Sequence, residues 1–281
     1  MNIKRTTKVT ILILLASLCV SMSSCGSGDD DNNYSNDEGN SASKRIVKIV
    51  EEDGGSIYER TFSYDSQGRV IKVVEIENGN STSTSETNYQ YGEQLIISKM
   101  VENGKYSSGQ NYTRLETHTY TVSNQLIVKD VEVQGDNSHT TTTTTTYSYD
   151  SNGYLSSSKQ IVGNYSSTSY TSNYVWTNGN LTSIEESHVS DSGEPYPELS
   201  TYSYSNVVWN QHMIYYIKGS NMDGCLWMAG YWGKHPKNMP SNYDSSYFYE
   251  YTVTSGLVTK ATVTYPGKGH EEKAISTITW E

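Results

Sequence analysis

Residues 62–70 read FSYDSQGRV, and residues 147–155 read YSYDSNGYL. Each stretch has two aromatic residues two positions apart, then an Asp, a glycine and an aliphatic residue. Residues two apart on a β-strand share a face, so the aromatic pair marks one face of a strand. The Asp side chain starts a tight turn, and the glycine supplies its positive φ angle. The motif therefore predicts a β-hairpin.

Looser copies of this motif recur along the rest of the chain. The second residue of the pair falls at positions 64, 91, 122, 149, 176 and 204, so the spacing is 27, 31, 27, 27 and 28 residues, and a further copy ends at Tyr251. A period near 28 residues is one hairpin. Seven units predict an all-β fold over residues 44–281, namely a large antiparallel up-and-down meander of about 14 strands, curved into a barrel-like or half-barrel sheet.

The residues 206–246 form an insertion that breaks the period, because the spacing from Tyr204 to Tyr251 is 47. A ring of about 14 strands is too wide for its own side chains to fill, since about eight strands pack shut. The insertion is therefore predicted to plug the curved sheet, with a short helix near residues 222–230. Its aromatic set can act as plug or, because aromatic faces stack on sugars, as a ligand platform: Trp227, Tyr231, Trp232 and His235.

The amino terminus predicts export. A basic flank precedes an apolar run at residues 9–20, which is too short to span a membrane as a helix. Residues 22–25 read MSSC and resemble the bacterial lipobox, so residues 1–24 are a predicted signal peptide and Cys25 is the predicted lipidated first residue of the mature chain.

Residues 25–43 are polar and acidic, which predicts a disordered tether. Their aspartate run, residues 29–31, resembles the export signal of surface lipoproteins in Bacteroidetes, and the alternatives are a plain spacer and the periplasmic face of the outer membrane.

Composition excludes several classes of function. Without the signal, 17 basic residues face 31 acidic ones, which argues against a nucleic-acid partner. After Cys25 the sequence holds one cysteine, Cys225, so no disulfide framework is expected. The strands alternate without an apolar outer face of about ten residues, which argues against a lipid-facing barrel. The membrane is thus an expected partner through the lipid anchor alone.

No residue set predicts a reaction, a cofactor or a metal. Cys225 with His235 could form a nucleophile and base, yet a single thiol beside Leu226 is more typical of a buried core residue. The histidines lack the spacing of a zinc site. Glu185 and Glu186 with Glu194 could form a glycosidase pair, but adjacent strand residues point to opposite faces. We therefore expect no enzyme.

The clear copies of the motif resemble YD repeats of the RHS type. Their use hairpin by hairpin behind a lipoprotein signal resembles a Bacteroidetes lipoprotein family of unknown function with a porin-like β fold. Residues 233–240, GKHPKNMP, and residues 248–260 are similar to segments of that family. The resemblance implies a porin-like fold and an anchored location, without a known activity. We expect a non-enzymatic binding or structural module on the cell surface, with a glycan or host protein as partner; the alternative is an extracellular glycan- or peptide-acting hydrolase.

Overall fold

The computed structural model describes residues 44–79, 82–106, 108–135, 139–163, 169–189, 195–209, 223–266 and 271–281. The predicted signal peptide, Cys25 and the tether, residues 1–43, lie outside the described residues, as does Glu194. Within the described part, no helix is long and apolar enough to cross a membrane.

Sixteen antiparallel strands, each hydrogen-bonded to its neighbours in chain order, close into one barrel. The meander prediction is confirmed, and the count of about 14 strands was too low. The strands and the single described helix are β1 (Ile46–Asp53), β2 (Ser56–Tyr64), β3 (Val70–Asn78), β4 (Thr82–Tyr91), β5 (Leu95–Lys105), β6 (Asn111–Ser123), β7 (Leu126–Gly135), β8 (Thr140–Tyr149), β9 (Leu155–Val162), β10 (Ser169–Thr177), β11 (Asn180–Val189), β12 (Pro195–Val208), α1 (Gly224–Met228), β13 (Asn238–Tyr243), β14 (Tyr247–Thr254), β15 (Leu257–Pro266) and β16 (Glu271–Trp280).

The two strands missing from the sequence count are β1 and β16, which form an eighth repeat unit split between the two ends of the chain. Ile278 and Trp280 take the places of the aromatic pair, and Ile46 takes the place of the aliphatic residue. Arg45 and Glu281 exchange two backbone hydrogen bonds of 2.9 Å where the other units have a turn. The eighth unit has no turn sequence, so the repeat motif could not reveal it.

The turn chemistry of the motif is as predicted. The Asp65 Oδ1 atom accepts hydrogen bonds of 2.9 Å from the backbone N–H groups of Gln67 and Arg69. Gly68 has a φ angle of +79°, which only a residue without a Cβ adopts at little cost. Asp150 holds the turn at residues 150–154 in the same way, with bonds of 2.9 and 2.8 Å.

In most units a β-bulge lies next to the turn. In the β2–β3 pair, for example, the register shifts by one residue between Ser63 and Tyr64, where Tyr64 faces Val70. The second aromatic residue of the next unit donates a hydrogen bond to the carbonyl of the aliphatic residue at the bulge, as Tyr91 does to Val70 at 2.7 Å. The same bond joins Tyr64 to Ile46, Tyr149 to Ile127, Trp176 to Leu155, Tyr204 to Leu181 and Trp280 to Val258, at 2.6–2.8 Å.

The core lies at the end of the barrel that carries these turns. The first aromatic residue of six of the seven pairs points into the lumen and is at most 8% exposed, and Tyr249, in the seventh pair, is half-buried. The six buried residues are Phe62, Tyr89, Tyr120, Tyr147, Tyr174 and Tyr202. The rings form a belt on the inner wall, and residues 223–237 pack against that belt.

We predict that the aromatic-to-carbonyl bond stabilises each unit by about 1 kcal/mol, which is the usual net value for one buried hydrogen bond. Tyr149→Phe should therefore lower the free energy of unfolding by about that amount in a denaturant titration. Tyr251→Phe is the matched control, because the buried Tyr251 Oη atom, at the same place in its unit, has no hydrogen-bond partner among the described residues. Equal losses in the two variants would contradict the role of the bond.

Candidate functional site

The lumen of the barrel has two parts with different chemistry. The first is the plug, residues 223–237 between β12 and β13 together with Trp209, which fills the turn end of the barrel. The second is the distal lumen, the part of the inner wall on the far side of the aromatic belt from the turns. The predicted site residues fall in the plug, and most lumen-facing charges fall in the distal lumen.

Trp232 is the centre of the plug. It is fully buried, with its ring edge-on to Tyr147 at 4.6 Å and to Tyr120 at 6.0 Å between ring centroids. Its indole N–H donates to the Asp223 carbonyl at 3.1 Å. Trp232 therefore joins the insertion to the aromatic belt of the wall.

Asp223 fixes the start of the plug helix and ties it to the wall. Its Oδ1 atom accepts from the backbone N–H groups of Cys225 and Leu226, at 2.8 and 3.3 Å, as the N-cap of α1. Its Oδ2 atom accepts from the Tyr89 hydroxyl at 2.8 Å. Burial raises the pKa of this carboxyl, and the hydrogen bonds oppose that effect in part. The predicted helix near residues 222–230 is thus the short α1, and residue 222 lies outside the described residues.

The other predicted aromatic residues all lie in the plug, but they differ in how far they are exposed. Trp227 is 4% exposed and stacks on His235 at 5.7 Å. Tyr231 is half-buried and stacks on Tyr91 at 5.9 Å. His235 forms a hydrogen bond with the Trp227 carbonyl at 2.8 Å and lines a surface cavity of about 510 Å³.

The insertion predicted over residues 206–246 is shorter in the structure, because residues 206–208 belong to β12 and residues 238–243 to β13.

Cys225 and His235 are held by different neighbours. Burial raises the pKa of the Cys225 thiol well above its ordinary value, so the nucleophilic thiolate is disfavoured. Burial lowers the pKa of His235. Among the described residues, His235 forms a hydrogen bond with the Trp227 carbonyl and none with Cys225. The geometry gives no support to a nucleophile and base at these positions.

Charge is sorted between the two faces of the barrel wall. Strand pairing and alternation direct Lys48, Lys72, Lys99, Lys105, Lys129, Lys159, Lys260 and Lys273 outward, the complete set on the described strands. The lumen-facing carboxylates are those of Glu51, Asp53, Glu75, Glu77, Glu102, Glu116, Asp130, Glu132, Glu186, Glu198 and Glu272. The lumen-facing cations on those strands are Arg60, Arg114 and the two histidines His118 and His188. The distal lumen is therefore strongly acidic.

Neighbouring strands bring some of these carboxylates directly opposite one another. Glu186 on β11 pairs with Glu198 on β12, while Glu185 points to the outer face, as expected for adjacent strand residues. Burial raises the pKa of Glu186, and the nearby Glu198 charge adds to that effect. On the other side of the lumen, Arg60 forms an ion pair with Glu75.

A second acidic group contains a histidine. On β6, Glu116 and His118 share the lumen face, and on β7 Asp130 and Glu132 share it beside them. The His118 Nδ1 atom lies 2.8 Å from Asp130 Oδ2, and its Nε2 atom lies 3.0 Å from Glu116 Oε1. Burial opposes a charge on this ring, but the bonds to Asp130 and Glu116 raise the pKa of His118 to about 10. Sequence reasoning missed this group, although the spacing of two in ETH and DVE is the signal that could have found it.

A closed meander with a plugged lumen defines the class of this protein as a porin-like β-barrel. Residues 62–266 match the family described as "Domain of unknown function (DUF4595) with porin-like fold", and the chain belongs to that family. No curated protein matches the sequence.

Two solved structures share the fold. A porin-like protein from Bacteroides uniformis ATCC 8492 is 17% identical with a TM-score of 0.56, over 84% of this chain and 96% of that chain. A porin-like protein from Bacteroides vulgatus ATCC 8482 is 12% identical with a TM-score of 0.59, over 85% of this chain and 99% of that chain. At these identities the likeness concerns the fold.

We predict that Trp232→Ala lowers the free energy of unfolding by roughly 3–5 kcal/mol, because neighbours in the belt cannot close the cavity. Trp227→Ala should be at least as damaging as Tyr149→Ala, and Phe248→Ala on the outer face, where the ring is 51% exposed, is the control. Thermal melting followed by circular dichroism measures all four variants. If the tryptophan variants melt within error of wild type, the rings do not hold the barrel and the ligand-platform alternative gains.

Proposed function

We propose that this protein is a non-enzymatic binding module, anchored at the outer membrane through a lipid on Cys25, whose ligand enters the distal lumen. The sorting of charge between the two faces of the barrel carries the proposal. A concave surface lined by one sign of charge focuses the potential and raises the local concentration of the opposite ion. The ligand class that fits is a small organic polycation, such as a polyamine.

The outer face supports an anchored barrel that stands in water. Strand lysines point outward beside glutamates, and they form ion pairs such as Lys48 with Glu59 at 2.8 Å and Lys72 with Glu86 at 2.7 Å. A wall in hydrocarbon needs an apolar outer band, and charged groups there are costly. Membrane attachment is therefore assigned to the lipid, and display on the cell surface follows from the resemblance of residues 29–31 to an export signal.

The partners suggested by the sequence, a glycan or a host protein, depend on accessible aromatic faces. The burial of Trp227 and Trp232 leaves Tyr231 and His235 as the more accessible members of that set. A sugar platform there would be small, beside the cavity that His235 lines. The acidic lumen gathers more charged side chains, and we place the ligand in it.

A hydrolase is the second candidate, and one observation favours it. Glu186 and Glu198 are direct partners on the adjacent strands β11 and β12, and a raised pKa such as that of Glu186 is a property of a general acid. The same pair tests both candidates, since an enzyme should lose turnover of a glycan or peptide substrate when either carboxylate becomes an amide.

Polyamine binding to the distal lumen is the main test. We expect spermine to bind the full chain, purified in detergent, and to bind more weakly as salt is added. The double variant Glu186→Gln with Glu198→Gln should weaken binding by about fivefold or more for each charge, because one charge contact in water-like surroundings contributes about 1 kcal/mol. Titration calorimetry measures the change.

The matched control is Glu185→Gln with Glu250→Gln, which removes the same charge from the outer face. If this pair weakens spermine binding as much as the lumen pair, the net charge and not the lumen attracts the ligand. A neutral oligosaccharide that binds in place of spermine would favour the glycan reading instead.

The lipid anchor has its own test. Because the thioether forms at a cysteine sulfur, Cys25→Ala should abolish labelling with a fatty-acid probe and move the protein from the membrane fraction to the soluble fraction. Cys19→Ala, in the apolar run, is the control and should leave labelling intact. Unchanged labelling of the Cys25 variant would exclude the assigned site.

A further inference from the structure

We propose that Glu116, His118 and Glu132 form a binding site for a divalent transition metal ion of the zinc type on the wall of the distal lumen. One ligand atom from each residue lies within 4.8 Å of the others. The three side chains come from two adjacent strands, where His118 and Glu132 are direct partners. The site goes beyond polyamine binding, because it depends on the geometry of three side chains and not on the overall charge of the lumen.

The distance between two of the three ligand atoms already fits a metal ion. Zinc bonds of about 2.0–2.2 Å to nitrogen and oxygen place tetrahedral ligand atoms about 3.3 Å apart. The His118 Nε2 and Glu116 Oε1 atoms are 3.0 Å apart, so an ion bound by both needs them to separate by only a few tenths of an ångström. Glu132 is half-buried, and one of its carboxylate oxygens lies within 4.8 Å of the other two ligand atoms.

Outer contacts orient two of the three ligands. The imidazole is held through Nδ1 by Asp130, which leaves Nε2 for the ion, as in carboxylate–histidine–metal arrangements. The ring also lies parallel to Tyr120, at 5.4 Å and 4°. The second oxygen of Glu116 is held by Arg114 at 2.8 Å and Gln134 at 3.1 Å, which turns Oε1 toward His118.

Asp130 gives an independent indication of a bound cation. Its carboxylate is 3% exposed and directed at His118, and its Oδ1 atom has no hydrogen-bond partner among the described residues. A buried carboxylate with an unsatisfied oxygen is costly unless a positive charge lies close by. An ion bound to His118 would lie close to this carboxylate, because the His118 Nδ1 atom is 2.8 Å from Asp130 Oδ2.

Zinc titration of the full chain in detergent, after dialysis against a chelator, tests the site. We expect one equivalent of Zn²⁺ to bind, and excess Ca²⁺ not to displace it, because calcium prefers oxygen ligands. His118→Gln and Glu132→Gln should each weaken binding at least tenfold, and Asp130→Asn should weaken it by about 10–100-fold through the orientation of the ring.

His188→Gln is the matched control, because His188 also faces the lumen on a strand and stacks on Tyr170. Glu132→Gln protects against a folding failure, since it leaves the His118 contacts to Asp130 and Glu116 in place. No zinc binding by wild type, or equal losses in His118→Gln and His188→Gln, would overturn the site. The Glu186→Gln, Glu198→Gln variant separates the two proposals, since it should weaken spermine binding and leave zinc binding unchanged.

Discussion

The barrel depends on a hydrogen bond to the backbone carbonyl group beside the β-bulge, at the start of the strand that follows the turn. A one-residue shift in register bends the strand and interrupts the ladder of backbone hydrogen bonds. Tyr91 satisfies the Val70 carbonyl, and Trp176 satisfies that of Leu155, so a unit that makes this bond completes the unit before it. This dependence explains why the second aromatic residue is Tyr or Trp, each of which has a donor, in the units that make the bond. The bulges supply bending at regular intervals, which is what closing a wide sheet requires.

A ring of sixteen strands leaves a lumen that its own side chains cannot fill. The plug, residues 223–237 with Trp209, fills one end, and its hydrogen bonds and ring contacts fix its position against the wall. Asp223 caps the short helix and accepts from Tyr89, while Trp232 meets the belt at Tyr120 and Tyr147. Rings and a buried carboxyl thus do at the turn end what a packed core does in a narrower barrel. The distal end keeps its ionisable groups in contact with solvent, as the half-buried Glu116 and Glu132 illustrate.

The meander was predictable from sequence because each repeat carries its turn chemistry in adjacent residues, as Asp65 and Gly68 do. Closure was not, because Ile46 and Trp280 meet through strands at opposite ends of the chain and share no turn. The acidic lumen was also hidden. Spacing of two shows which residues of one strand share a face, but a bulge shifts the face of the following residues by one. The pairing of His118 with Glu132 depends on the shift between Thr121 and Val122, which the sequence does not mark.

Two of the lumen acids are held in the folded barrel at a cost in free energy, which supports the proposal of a cationic ligand. Burial raises the pKa values of Glu132 and Glu186, and nearby carboxylates add to this effect, while the His118 charge opposes it at Glu132. The folded barrel therefore holds these two carboxylates mainly against desolvation. A cation that enters the lumen removes part of the repulsion and so binds the folded barrel more tightly than the unfolded chain. By linkage, that ligand stabilises the fold. Under the proposed function, the acidic lumen that opposes folding of the empty barrel is therefore also the property that would give a cationic ligand its affinity.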